Sequence, residues 1–125
     1  MKKQTIISWV LQICIIIVLA PSAYLKLTGA PESISVFTSL GMEPAGRYII
    51  GFLEAIACLL LITPNSAAYG GILTVCIMLG AILAHLTKLG FNDVACLTCI
   101  ILLIISSIVT YLRRMQIRSI ARMLN

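Results

Sequence analysis

Charge is what this sequence has least of: 10% of its 125 residues are charged, and only four of them are acidic. With 61% hydrophobic residues and a mean hydropathy of +1.11, the chain has too little polar surface to cover a water-soluble globule, so that class is excluded. Histidine is nearly absent as well. One histidine and no second cysteine pair argue against a metal centre, and no metal is expected. Internal repeats and low-complexity segments are missing, which leaves a single domain over residues 1–125. Although the net charge is +5, there is no basic fold to carry nucleic acid, and none is expected as a partner.

What is present is apolar sequence in lengths that cross a bilayer. Spans are predicted at about 6–25, 47–63, 67–86 and 94–112. They define an all-α integral membrane protein, an antiparallel four-helix bundle in contact with lipid. Lys2, Lys3, Arg113, Arg114, Arg118 and Arg122 flank the first and last spans on one side, so the positive-inside rule puts both termini in the cytoplasm. The basic tail 113–125 alternates arginines with apolar residues, as in an amphipathic helix on the membrane surface, and a plain stop-transfer tail fits equally. Lys2, Lys3 and Ala20 or Ala23 imitate a cleavable signal, but the apolar run is longer than a signal core and Pro21 sits badly in the cleavage window, so retention is expected.

Punctuation marks the connections at Thr28 to Pro31, Gly41 to Gly46 and Thr63 to Ser66. In the outer connection, Ile34, Val36, Phe37 and Leu40 suit a short helix on the rim between Glu32 and Leu40. Polar and small residues recur every three or four positions in each span: Ser8, Gln12, Ser22 and Lys26 in the first, Arg47, Gly51, Glu54 and Cys58 in the second. Thr74, Ala81, His85 and Lys88 follow in the third, and Cys96, Cys99, Ser106 and Thr110 in the fourth. Such stripes collect where membrane helices touch one another.

The sharpest feature is Glu54, an acid inside an apolar stretch, where a carboxylate costs about 2.5–3.5 kcal/mol on insertion scales and calls for a partner, a cavity or a proton-linked role. Antiparallel topology gathers Lys26, Arg47, His85, Lys88, Cys96 and Cys99 in the outer half with it. The expected arrangement is an outward-facing polar cavity in which Lys26 is the counter-ion of Glu54. Arg47 stands on the same face about two turns away, and His85 serves as a proton relay or hydrogen-bonds a ligand oxygen. The bland reading is that Lys26 and Glu54 only lock two helices in register and that His85 makes an interfacial hydrogen bond. Cys96 and Cys99 have the spacing of a redox dithiol at a helix start, against a chance pairing in an apolar segment. Cys14, Cys58 and Cys76 read as packing residues.

Several short segments, in order, carry a resemblance: Tyr24-Leu25-Lys26-Leu27-Thr28-Gly29, Ser39-Leu40-Gly41-Met42, Arg47 to Glu54, Leu59 to Pro64 and Ala84-His85-Leu86. Over Leu19 to Gly90 the sequence resembles the DoxX family of small four-helix membrane proteins, and more closely its DoxX-like branch. The resemblance implies a multi-pass protein of the bacterial inner membrane associated with membrane oxidoreductase subunits that deliver electrons to quinone. It does not imply that the chain alone is an enzyme. Pro21-Ser22 departs from the family's usual small residue and glycine, and Cys96-Cys99 is not a general family feature.

The leading expectation is a DoxX-like subunit of a quinone-linked oxidoreductase system, with Lys26, Glu54, His85 and Arg47 around a site for a small amphipathic ligand or partner. Three alternatives stand beside it: a thiol-disulfide oxidoreductase using Cys96 and Cys99 with quinone, a small proton-coupled transporter using Glu54, and a ligand-free scaffold. A homo-oligomer is compatible with each.

Overall fold

The computed structural model describes residues 3–89 and 94–115, which are helical apart from short turns and contain no strand. Its α-helices are α1 (Lys3–Thr28), α2 (Pro31–Ser39), α3 (Ala45–Ile62), α4 (Ala67–Ala84) and α5 (Val94–Leu112). A 3-10 turn, Pro64–Ser66, precedes α4, and a π-helical turn, His85–Leu89, follows it. The expected count of four helices therefore becomes five among the described residues. The rim pattern around Phe37 forms a helix of its own, started by Pro31 at the first helical position, where its missing N–H costs nothing. Thr5–Thr28, Ala45–Ile62 and Pro64–Thr87 are long and apolar enough to cross a membrane, and α5, Val94–Leu112, is a further apolar helix of 19 residues. The amphipathic helix expected in the tail and the link between α4 and α5 fall largely outside the described residues.

The four longer helices pack in chain order, α1 on α3, α3 on α4 and α4 on α5, with a thinner seam between α5 and α1. Cross-contacts give their directions. The start of α1 meets the end of α3 through Gln12 and Leu61, and the end of α1 meets the start of α3 through Lys26 and Arg47. Arg113, just past α5, reaches Ser8 near the start of α1, so those two ends share one side of the molecule. The inward stripe of α1 is Ser8, Gln12, Ile15, Leu19 and Ala23, spaced three or four apart and buried, while Ile6, Ile13, Ile17 and Tyr24 point outward. Ile15 and Leu19 join Ala57, Leu61, Met78, Leu102 and Val109 in one apolar core.

Two glycines let the helices approach. A Cβ on Gly70 would stand 2.9 Å from the backbone nitrogen of Leu61 and 3.1 Å from the Ala57 carbonyl, and neither backbone atom can swing aside. A Cβ on Gly51 would stand 3.0 Å from the Cβ of Lys26, so Gly51 keeps α1 and α3 close at the level where the lysine points inward.

The end of α3 shows how buried carbonyls are satisfied where a helix stops. Pro64 has no N–H to offer the carbonyl of Leu60, and the hydroxyl of Ser66 donates to it instead at 3.1 Å. Leu59 accepts from the N–H and the hydroxyl of Thr63, at 3.3 and 3.0 Å. Leu61 accepts from the Gln12 amide of α1 at 2.6 Å.

Candidate functional site

At the other end of the bundle, α1 stops at Thr28 and leaves its last carbonyls without intrahelical donors. The carbonyl of Lys26 accepts from Nη1 of Arg47, a cation at a helix C-terminus, where the backbone dipole favours it. The same guanidinium donates through Nε to both carboxylate oxygens of Glu43, at 2.9 and 3.0 Å, and lies over the Tyr48 ring at 4.3 Å from its centroid. Arg47 is thereby committed to Glu43 and to the backbone of Lys26. Its role is to hold the end of α1 against the start of α3.

With its backbone so fixed, Lys26 sends its side chain inward. Nζ lies 2.7 Å from Oε1 of Glu54 and donates to the Ser22 hydroxyl at 2.5 Å, one turn back on α1. The expected pairing of Lys26 with Glu54 is thus present as a direct contact. Glu54 is only 2% exposed, and its second oxygen, Oε2, is covered and finds no hydrogen-bond partner among the described residues. A buried acceptor in that state costs about 1–3 kcal/mol, more when charged, so the site holds one unmet demand for a donor.

The expected outward-open cavity is instead an enclosed site. Arg47 and His85, like Glu54, are buried, at 4% and 6% exposure. The physical reason is α2, which lies across α1, α3 and the π-helical turn with Phe37 buried beneath it. Sequence periodicity marks α2 as amphipathic but does not say where it docks. On the outer flank of α1 and α3, next to the pair, Leu27, Tyr48, Ile49, Phe52 and Leu53 line a shallow apolar groove of about 390 Å³.

His85 stands where α4 passes into its π-helical turn, a geometry that recurs at functional sites. Cys96, in the first turns of α5, is 2% exposed, and Cys99 is half-buried; both are thiols. Cys99 packs against the apolar core that also contains Cys58 of α3. Cys58 and Cys99 therefore belong to the bundle interior. Cys14 and Cys76 face outward, away from it.

A second polar chain runs at the opposite end of the bundle. Nε of Arg113 donates to Ser8 at 3.0 Å, Ser8 donates to the Gln12 carbonyl oxygen at 2.7 Å, and the Gln12 amide donates to Leu61. Position along the chain suggests that Arg113 begins the basic tail, and nothing local links it to Ser8. Glu43, by contrast, is legible as the partner of Arg47 from its spacing of four.

A model of the DoxX-like family matches residues 10–109. The chain belongs to the DoxX-like family. Family membership and the three long apolar helices make it a membrane protein. The matched stretch takes in Lys26, Arg47, Glu54, His85, Cys96 and Cys99, whereas Ser8 and Arg113 lie just beyond its two ends. No match was found among curated proteins or among solved structures.

Proposed function

We propose that this DoxX-like protein is a binding subunit of the bacterial inner membrane, with both termini cytoplasmic, that serves a quinone-linked oxidoreductase system. Its site takes a small amphipathic molecule beside Glu54. The observation that carries this reading is the covered Oε2 of Glu54. A ligand hydroxyl, such as that of a quinol, would donate to it while Lys26 holds Oε1. The groove along Leu27, Tyr48 and Phe52 favours a ligand whose hydrocarbon part stays in lipid. Entry requires α2 or the α1–α3 seam to yield, since the site is enclosed. His85 and Arg47 line its outer end, Arg47 as a positioning residue.

The test is native mass spectrometry of the purified protein, with alkylation in the absence of reductant. Wild type is expected to retain a quinone-sized ligand that Glu54→Gln loses, with the Cys96 and Cys99 thiols free in both. Equal retention, or no ligand in either, would sink the reading.

Cys96, buried in the first turns of α5, and Cys99, packed on the bundle core, support a second reading, a thiol-disulfide oxidoreductase. In it, quinone takes two electrons and two protons from the Cys96 and Cys99 thiols, leaving a disulfide and a quinol. A Cys96–Cys99 disulfide that added quinone regenerates would favour it. The transporter reading gains less support, because the apolar core of Ile15, Leu19, Ala57, Leu61 and Met78 separates Glu54 from the end that carries Ser8 and Arg113.

A further inference from the structure

The six basic residues that flank the bundle at positions 2, 3, 113, 114, 118 and 122 have no acidic side chain near them in the sequence; the four acids stand at 32, 43, 54 and 93. Among the described residues, Arg114 is held locally on the Tyr111 ring and carbonyl, whereas Arg113 is the one whose head group reaches another helix. Its backbone N–H closes the last turn of α5 on Val109 at 2.9 Å, which aims the side chain back toward the start of α1. There Nε donates to Ser8, and the guanidinium lies 5.6 Å from the centroid of the Trp9 ring. Ser8 is itself held by Gln12, so the hydroxyl is a fixed acceptor.

That arrangement leaves the cation under-satisfied. Nη2 of Arg113 is covered and has no acceptor among the described residues. The neutral Ser8 oxygen is a weak match for a guanidinium that prefers two oxygens of one anion. The side chain as a whole is only partly buried and stands at the bundle rim beside half-buried Trp9, where a membrane indole characteristically marks the headgroup level. A phosphate oxygen at that level would meet Nη2 once the guanidinium turns it from its covered position toward the rim.

The geometry points to a site for the phosphodiester of an anionic phospholipid, formed by Arg113, Ser8 and Trp9 at the seam between α1 and α5. The guanidinium supplies charge and donors to the phosphate, and Trp9 packs against the glycerol and upper acyl region. The thin α1–α5 seam lets the acyl chains lie along the bundle. The site is independent of Glu54, which sits at the opposite end of the same helices.

Trp9 is the only tryptophan in the chain, so the protein carries its own probe. The full chain is reconstituted in phosphatidylcholine vesicles containing equal small mole fractions of either dibrominated phosphatidylglycerol or dibrominated phosphatidylcholine, and quenching of Trp9 emission is compared. Binding at Arg113 predicts that the anionic lipid is enriched at Trp9 by about fivefold over the zwitterionic one, the order expected for one basic residue at such a surface. Arg113→Gln should abolish the preference. Arg114→Gln, which removes a cation stacked on Tyr111, should leave most of it. Equal quenching by the two lipids in wild type overturns the site without reference to any variant. A preference unchanged in Arg113→Gln reduces it to general surface charge. Loss of the preference on adding excess inorganic phosphate, at an ionic strength matched with chloride, would replace the lipid by free phosphate and overturn the lipid assignment.

Discussion

The two ends of the bundle handle buried charge in opposite ways. At the Glu54 end, cation and anion are brought together from different helices, and one carboxylate oxygen is left over. At the Arg113 end a cation has no anion among the described residues and is tied through neutral groups to a helix carbonyl. The first arrangement is closed under α2 and close to neutral, as a site inside low dielectric must be. The second stands at the rim, where water and headgroups supply what the protein does not. Depth in the membrane, more than residue type, decides which solution is used.

The largest effect should come from unbalancing the closed end. Lys26→Met or Glu54→Gln alone is expected to lower stability by about 3–5 kcal/mol for the charge-stranding change, because a buried partner is left without its counterpart. The double variant should recover most of that loss. Reversible unfolding in detergent, run as a double-mutant cycle, checks the coupling; additive single losses would mean that the pair contributes no mutual stabilisation. The cycle also separates register from ligand binding. A scaffold predicts recovery of all properties in the double variant, and a binding subunit predicts recovery of stability without ligand.

A smaller effect is expected at Arg47, which acts on the pair through the Lys26 carbonyl. Arg47→Met should cost roughly half the thermal stability lost in Glu54→Gln, since its three charge-assisted bonds go while the Lys26–Glu54 pair persists. Arg47→Lys should rescue only part of it, because an ammonium cannot hold Glu43 and the carbonyl with the same planar fork. Full rescue by lysine would mean that charge at the helix end is all that matters.

The smallest effect belongs to the opposite end. Gln12→Leu removes a donor to Leu61 and an acceptor for Ser8, yet hydrogen bonds between membrane helices average only about 0.6 kcal/mol and reach about 1.7. A loss as large as that at Glu54, measured by the same unfolding assay, would break the contrast between the two ends.

The meeting of Lys26 with Glu54 was legible because period and topology act together: each residue lies on its helix's small-residue face, and antiparallel neighbours bring the end of α1 to the start of α3. Glu43 and Arg47, four apart or about one helical turn, carry a similar local signal, although the expectation gave Arg47 no such partner. The closure of the site was not legible, because amphipathicity marks α2 as a surface helix and leaves open whether Phe37 plugs the bundle or faces lipid. Nor was the contact of Arg113 with Ser8, which joins residues 105 positions apart through polar atoms with no pattern of their own. The π-helical turn at His85 likewise has no mark in hydrophobic period, since it shifts the helix face by a fraction of a turn.

Lys26 precedes Glu54 in the chain, and this order matters before there is a folded protein at all. As the polypeptide leaves the ribosome, α1 emerges before α3, so the ammonium is already at the membrane when the carboxylate must enter it. Arg47, in the first turn of that same arriving helix, emerges ahead of Glu54 and meets the end of α1 first. The ion pair thus gives assembly a direction, with each newly inserted segment completing a contact that the earlier one has prepared.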